Sequence, residues 1–366
     1  MSETRYCKIP RFSSLTLVVS MQNEGVKVVK ILKLLLLICV MLSPLSVNAN
    51  EHAPKQSLVT SNPGAELWRE VRQRGGEVRG VSQVKSTDAN VLINVAGQAW
   101  REYRTLSLIP RAGIAVLVAL IGVVLFRLIR GKIKLSEGRS GIKILRFTLT
   151  QRTAHWSTAI LFVTLAITGM ALLFGRTVLI PIFGAKGFSY VASVSKTLHD
   201  YLGPLFVLSL TVLFVLFVRD NIPSIKQDLQ WIAKGGGLLG KHASSGRYNA
   251  GEKGWFWIAS LVGLVLIISG LVLDFPIFGQ NRETMEFYLV VHGIAAIIMI
   301  VASFGHIYMG TAAMEGTFEV MQTGYCDANW AKEHHDLWYE EVKQGGEAAA
   351  SDAPQQATPN SEKAAT

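Results

Sequence analysis

Cysteine is almost missing from this chain: Cys7, Cys39 and Cys326 are the only three in 366 residues. The first two fall in a leader-like segment, so a processed chain keeps Cys326 alone. One thiol makes no internal disulfide, no C-x-x-C-H haem attachment and no iron–sulfur cluster. Any redox group must then be held non-covalently by other ligands. Charge is scarce as well, at 17% of residues, which excludes an ordinary globular enzyme. Acidic residues are fewer than basic ones, 26 against 36, giving a net charge of +10. That excess does not imply nucleic acid. Most of it flanks apolar segments, and no basic stripe interleaved with aromatics is present.

What the chain has in quantity is apolar sequence, half of all residues, with a mean hydropathy of +0.33. Lys27, Lys30 and Lys33 precede the apolar run Leu34–Leu42, and Val47-Asn48-Ala49 offers small residues for signal-peptidase cleavage. Residues 1–49 are therefore expected to be a signal peptide, with translation starting at Met1 or Met21. Residues 50–108 are polar and read as a docking segment on the outer face, with short helices at Ala65–Arg74 and Gln98–Arg104.

Five apolar segments of near-spanning length follow: Ile109–Phe126, His155–Phe174, His199–Val218, Trp255–Phe275 and Phe287–Met309. The 127–154 loop carries Arg127, Arg130, Lys132, Lys134, Arg139, Lys143, Arg146 and Arg152. The 219–253 loop carries Arg219, Lys226, Lys234, Lys241, Arg247 and Lys253, and the alternate loops are poorer. Positive-inside puts both basic loops and the C-terminus in the cytoplasm of a bacterial inner membrane. A cleaved signal followed by five spans gives the same orientation. Residues 310–344 form a cytoplasmic segment with a surface helix over Asn329–Gln344, and residues 345–366 are expected to be disordered. Trp255 and Trp257 read as an interfacial aromatic belt, and His334-His335 as solvated surface.

Four histidines, His155, His199, His292 and His306, lie within or at the ends of these segments. An ionisable side chain in hydrocarbon is a functional-site hypothesis by default. His292 and His306 are fourteen residues apart, a helical rise of about 21 Å on nearly one face. His155 opens one segment from the cytoplasmic side and His199 opens the next from the outer side. The depth-matched pairs are His155 with His306 and His199 with His292. That is the ligand set for two bis-histidine haems stacked across a membrane, with no open iron position and hence electron-transfer chemistry. Zinc needs four ligands at one point, and each depth offers two. Asp200, beside His199, is a candidate to orient its ligand, or simply an acidic helix start.

The surrounding residues resemble the γ subunit, cytochrome b556, of membrane-bound formate dehydrogenase. The motifs are Arg152-Thr153-Ala154-His155-Trp156, Leu198-His199-Asp200-Tyr201-Leu202-Gly203 and Asn221-Ile222-Pro223. Further on come Arg247 to Lys253 (RYNAGEK), His306-Ile307-Tyr308-Met309 and Trp330 to His335 (WAKEHH) with Trp338-Tyr339. The resemblance spans residues 140 to 343. It implies an all-α four-helix transmembrane bundle, residues 155–309, to which residues 109–126 add one N-terminal transmembrane helix. It also implies haem iron ligated by the four histidines, two b haems in all, and a quinone site at Asn249, Gly251 and His306. The implied partners are an iron–sulfur β subunit, a molybdenum- or tungsten-pterin α subunit, membrane lipid and menaquinone or ubiquinone. The formate-oxidising site would lie on another subunit. Rival readings are the cytochrome b subunit of a membrane hydrogenase or thiosulfate reductase, and a haem-free anchor or transporter. The last should show inverted internal repeats, and none is convincing here.

Overall fold

The computed structural model describes residues 78–79, 91–93, 95–236, 243–277 and 279–351. The expected leader with Cys7 and Cys39, the helix over 65–74 and the tail beyond 351 lie outside the described residues. A short antiparallel pair, β1 (Val78–Arg79) with β2 (Val91–Ile93), precedes the helical part. Helix α1 (Val95–Glu102) then runs through a π-helical turn, Tyr103–Leu108, into α2 (Ile109–Arg130).

Four helical stretches among the described residues are long and apolar enough to cross a membrane: Gly97–Arg130, Leu149–Asn221, Ala250–Asp274 and Arg282–Ala313. The second contains α3 (Leu149–Phe217), which is broken by one non-helical residue, Gly184, at φ 69° and ψ 175°. Contacts across it pair positions nearly equidistant from that glycine. Thr158 meets Ser209 at 2.7 Å, the Phe162 and Phe206 rings lie 6.4 Å apart, and Thr168 meets His199 at 2.8 Å. Helix α3 is thus a hairpin whose arms, 149–183 and 185–217, supply two crossings. Only glycine reaches this φ without steric cost, so one residue reverses the chain.

The helices extend beyond their apolar runs because caps in the polar loops terminate them, whereas the run marks only the lipid-immersed part. Thr148 and Gln151 form a capping box at the start of α3. Helix α4 (Ile225–Ala233) is short and amphipathic, and α5 (Ala250–Asp274) opens on a second capping box, Asn249 with Glu252. Asn281 caps α6 (Arg282–Tyr308) through its side chain. Ile114, Leu117, Val118, Ile121 and Val124 on α2 remain exposed, the outward apolar face a helix presents to lipid.

Both basic loops and the C-terminal segment pack together at one end of the bundle. Strand β3 (Lys143–Leu145) pairs with β4 (Tyr325–Asp327), which follows α7 (Thr317–Thr323). The helix expected over Asn329–Gln344 is instead two, α8 (Ala328–His334) and α9 (Asp336–Ser351), broken at His335. Nor is it a surface element: Trp330, His335 and Trp338 are buried. Helix α9 continues past residue 344, where disorder was expected, because the run Glu347-Ala348-Ala349-Ala350 has high helix propensity.

Candidate functional site

The four histidines meet in two pairs at opposite ends of the bundle. The His199 and His292 rings lie 6.2 Å apart, centroid to centroid, at the Gly184 end. The His155 and His306 rings lie 6.1 Å apart at the end held by the basic loops. Two metal–nitrogen bonds of about 2.0–2.1 Å, plus half of each ring, span roughly 6 Å. Both gaps therefore fit one metal ion between two imidazoles. Among the described residues no three His, Cys, Asp or Glu side chains converge on a metal position. Each pair can supply two nitrogen donors, which suits a metal that brings its other ligands with it.

Space exists at the His199/His292 pair. A cavity of about 560 Å³ opens there, lined by Gly169, His199, Gly203, Gly270, His292 and mostly apolar neighbours. A Cβ at Gly169 would come within 3.3 Å of the His199 ring, and one at Gly270 would do the same to His292. Larger residues at these positions would push the imidazoles out of place.

The same two segments fix the imidazole tautomers. Thr168 Oγ1 lies 2.8 Å from His199 Nδ1, and Ser269 Oγ lies 2.9 Å from His292 Nδ1. Each hydroxyl already donates its own proton to a carbonyl one turn back, Thr164 and Val265 respectively. The hydroxyl oxygen must therefore accept, so Nδ1 of both histidines carries the proton and Nε2 keeps its lone pair. Such an outer partner sets ring orientation and ligand basicity. Asp200 does not take this role. It is held by Lys196 one helical turn away, at 2.6 Å. The hydroxyls are a feature the sequence reading passed over. Their signal was a repeated Ile-[Ser/Thr]-Gly triplet, Ile167-Thr168-Gly169 and Ile268-Ser269-Gly270, opposite the two histidines.

At the other pair, aromatic packing replaces the hydroxyls. Trp255 lies flat on His306, with centroids 4.5 Å apart and planes at 11°, and Trp156 stands edge-on to His155 at 5.3 Å. Trp257 donates from Nε1 to the Asn221 carbonyl at 2.9 Å. These two tryptophans on α5, expected as an interfacial aromatic belt, also make specific contacts within the bundle. His155 Nδ1 is buried with no hydrogen-bond partner among the described residues.

Asn249 and Gly251 sit at the start of α5, one turn from Trp255. The Asn249 Oδ1 accepts from the Glu252 backbone N–H at 3.0 Å, and the Glu252 carboxylate returns a bond to the Asn249 N–H. The Asn249 Oδ1 is thus engaged by the cap, whereas no bond among the described residues occupies its Nδ2 donor. A Cβ on Gly251 would stand 3.2 Å from Trp231 of α4, so glycine is what lets that ring close over the turn.

Beside this turn is a buried cationic box. Arg146 is 3% exposed and surrounded by the rings of Phe147, Tyr248, Trp330 and Trp338 at 4.9 to 5.9 Å. Its guanidinium bonds Glu252 and the Arg247 carbonyl. His335 is 1% exposed, its Nδ1–H donating to the Gly246 carbonyl at 2.9 Å and its Nε2 facing Glu252 at 3.7 Å. Burial, and then the Arg146 charge, holds the His335 pKa well below the ordinary value. It is a neutral core residue and not solvated surface. Desolvation likewise raises the pKa of the buried Tyr248 hydroxyl.

A family model described as prokaryotic cytochrome b561 matches residues 146–324. The cytochrome b556(Fdn) subunit of the nitrate-inducible formate dehydrogenase of Escherichia coli K12 is 31% identical over 207 residues, 55% of this chain and 92% of that protein. The cytochrome b556(fdo) subunit of the same strain is 30% identical over 212 residues, covering 57% of this chain and 97% of its own length. The formate dehydrogenase cytochrome b556 subunit of Haemophilus influenzae is 28% identical over 207 residues, 54% of this chain and 83% of its own.

Proposed function

This chain belongs to the family of formate dehydrogenase cytochrome b556 subunits, and we propose that it is the dihaem subunit that carries electrons across the membrane to quinone in such a complex. It binds haem b and partners other subunits of a formate dehydrogenase. The observation that carries the finer reading is the pair of histidine–histidine gaps, 6.2 and 6.1 Å, at opposite ends of one apolar bundle. His199 with His292, and His155 with His306, would each hold one haem iron.

When bound, the two b haems supply the one-electron chemistry. The residues do the rest. Two imidazoles on each iron leave no position for oxygen, so each site passes electrons without binding substrate. Thr168 and Ser269 hold the ligand nitrogens toward the metal. The orientation follows from the basic loops: the His199/His292 end faces the periplasm of the inner membrane and the His155/His306 end faces the cytoplasm. An iron–sulfur β subunit, itself fed by a molybdenum- or tungsten-pterin α subunit, delivers electrons to the His199/His292 site. Quinone, menaquinone or ubiquinone, is reduced at the cytoplasmic end, beside His306, Asn249 and Gly251. Asn249 Nδ2 donates to a quinone carbonyl, and Trp231 and Trp255 flank the turn.

The test is haem stoichiometry. The purified chain should yield two acid-extractable haems. His199→Ala or His292→Ala should remove one and spare the other. Two haems per chain in both variants would show that these histidines are not ligands.

A further inference from the structure

The α1–α2 helix lies outside residues 146–324, where the family model matches, yet it contributes to the cavity at His199 and His292. Trp100 and Arg104, both on its first turns, line that cavity. They reach it through an irregularity. The backbone N–H of Ile109 bonds the Arg104 carbonyl, five residues back, in the π-helical turn Tyr103–Leu108. A π-turn inserts one residue into a helix and so re-aims the side chains before it relative to those after it, and such turns concentrate at functional sites. Below it, Ala112 is buried and Gly113 packs on Phe174, so the helix is fixed to the bundle.

The cavity interior is apolar, and its charged lining residues are Arg104, Lys196, Asp200, Asp274, Arg282 and Glu286. All six lie toward the Gly184 side of the bundle. Lys196 is neutralised by Asp200 at 2.6 Å, and Arg282 is engaged by other groups. Asp274 shares a side-chain hydrogen bond with Asp200. Arg104 is different. Its guanidinium lies over the Trp100 ring at 5.9 Å and has no carboxylate partner among the described residues. The other charge acting on it is a second cation, Arg176. Trp100 Nε1 beside it is buried with no hydrogen-bond partner among the described residues. An unpaired cation and an orphaned donor thus face the polar rim of an otherwise apolar cavity. They lack an anion with several acceptor oxygens.

We propose that Arg104 and Trp100 bind the carboxylate edge of the haem held between His199 and His292, making the N-terminal helix part of that haem site. This rests on the haem reading above. A b haem has an apolar body and two propionate carboxylates on one edge, which matches a cavity with an apolar interior and a charged rim. A guanidinium presents a planar fork that fits a carboxylate, and the indole N–H can donate to the same group.

The experiment is a redox titration of the membrane-embedded protein carrying Arg104→Gln, Arg104→Lys or Trp100→Phe, with haem counted per chain. His199→Ala identifies which of the two spectral components belongs to this site. Reduction adds negative charge at iron, so loss of the nearby cation in Arg104→Gln should disfavour it. At fixed potential the ferrous-to-ferric ratio of the His199/His292 haem should fall about threefold, with the other haem unchanged. Arg104→Lys, which keeps the charge, should return most of that loss. Trp100→Phe keeps the ring and removes the donor, and should weaken haem retention at this site alone. If a variant sheds the haem, retention is scored in the same order, with Lys nearer wild type than Gln. Equal behaviour of Lys and Gln, an unchanged ratio in Gln, or equal shifts in both haems would overturn the proposal. An arginine serving lipid phosphate gives the unchanged ratio. If His199→Ala removes no haem, the fault lies with the haem reading itself.

Discussion

Thr168 Oγ1 stands 2.8 Å from His199 Nδ1 while giving its own proton to the Thr164 carbonyl. With the hydroxyl proton on that carbonyl, the oxygen accepts from Nδ1–H and Nε2 keeps its lone pair. Ser269 repeats it for His292. Removing either oxygen leaves a buried N–H unpaired and frees the ring to turn. Thr168→Val or Ser269→Ala should therefore weaken haem retention at this site by about 10- to 100-fold. Asp200→Asn should leave it unchanged, because that carboxylate is occupied with Lys196. Haem transfer to apomyoglobin, followed by absorbance, measures all three.

Asn249 caps α5 and is proposed to bind quinone, and different substitutions separate the two roles. Asn249→Ala removes the cap from α5 and should cost about 0.5–2 kcal/mol of stability, besides any effect on quinone. Asn249→Ser keeps a capping oxygen and removes the Nδ2 donor. The serine variant should melt like wild type, and both its haems should reduce with formate in the assembled complex. Quinone reduction should fall at least tenfold. Wild-type quinone turnover in Asn249→Ser would remove the side chain from the quinone site.

The buried His335 sets a pH limit on the attachment of the C-terminal segment. Its folded pKa lies well below the ordinary 6.5, so below about pH 6.5 the unfolded segment binds a proton that the folded one does not. Stability is then fully present above that pH and falls as the pH drops, by up to about 1.4 kcal/mol per unit. Thermal midpoints in detergent between pH 7.5 and 5 should show this slope. His335→Asn, which retains a donor for the Gly246 carbonyl, should flatten it. An equally steep slope in His335→Asn would assign the effect to other groups.

On the proposed direction of electron flow, turnover is electrogenic. Electrons entering at a periplasmic His199/His292 site and leaving at a cytoplasmic His155/His306 site would carry negative charge inward, equivalent to protons moving outward. Moving one charge against 100 mV costs about 2.3 kcal/mol. Formate-to-quinone turnover in sealed vesicles should slow as the membrane potential builds and recover when an ionophore collapses it. A rate indifferent to potential would place both reactions on one side of the membrane.

The sequence alone carried the membrane class, the crossings and the four histidines, because each is a property of one segment. Apolar length shows a span, loop charge gives an expected side, and the fourteen-residue interval from His292 to His306 shows one face at two depths. Hairpin formation at Gly184 joined two of those spans into one helical unit, a detail of backbone angle that apolar length does not encode. What only the tertiary structure decided were contacts between segments far apart in the chain. Thr168 against His199, Trp255 against His306 and Arg104 at the cavity rim depend on which helix faces turn toward each other. That rotation is set by packing of the whole bundle. The same cause reversed the reading of His335. A histidine pair in a polar, tryptophan-bearing segment looks solvated until the rings of Trp330 and Trp338 close over His335. Burial is a property of the assembled fold, and helical period alone cannot tell a face turned to water from one turned to a neighbouring loop.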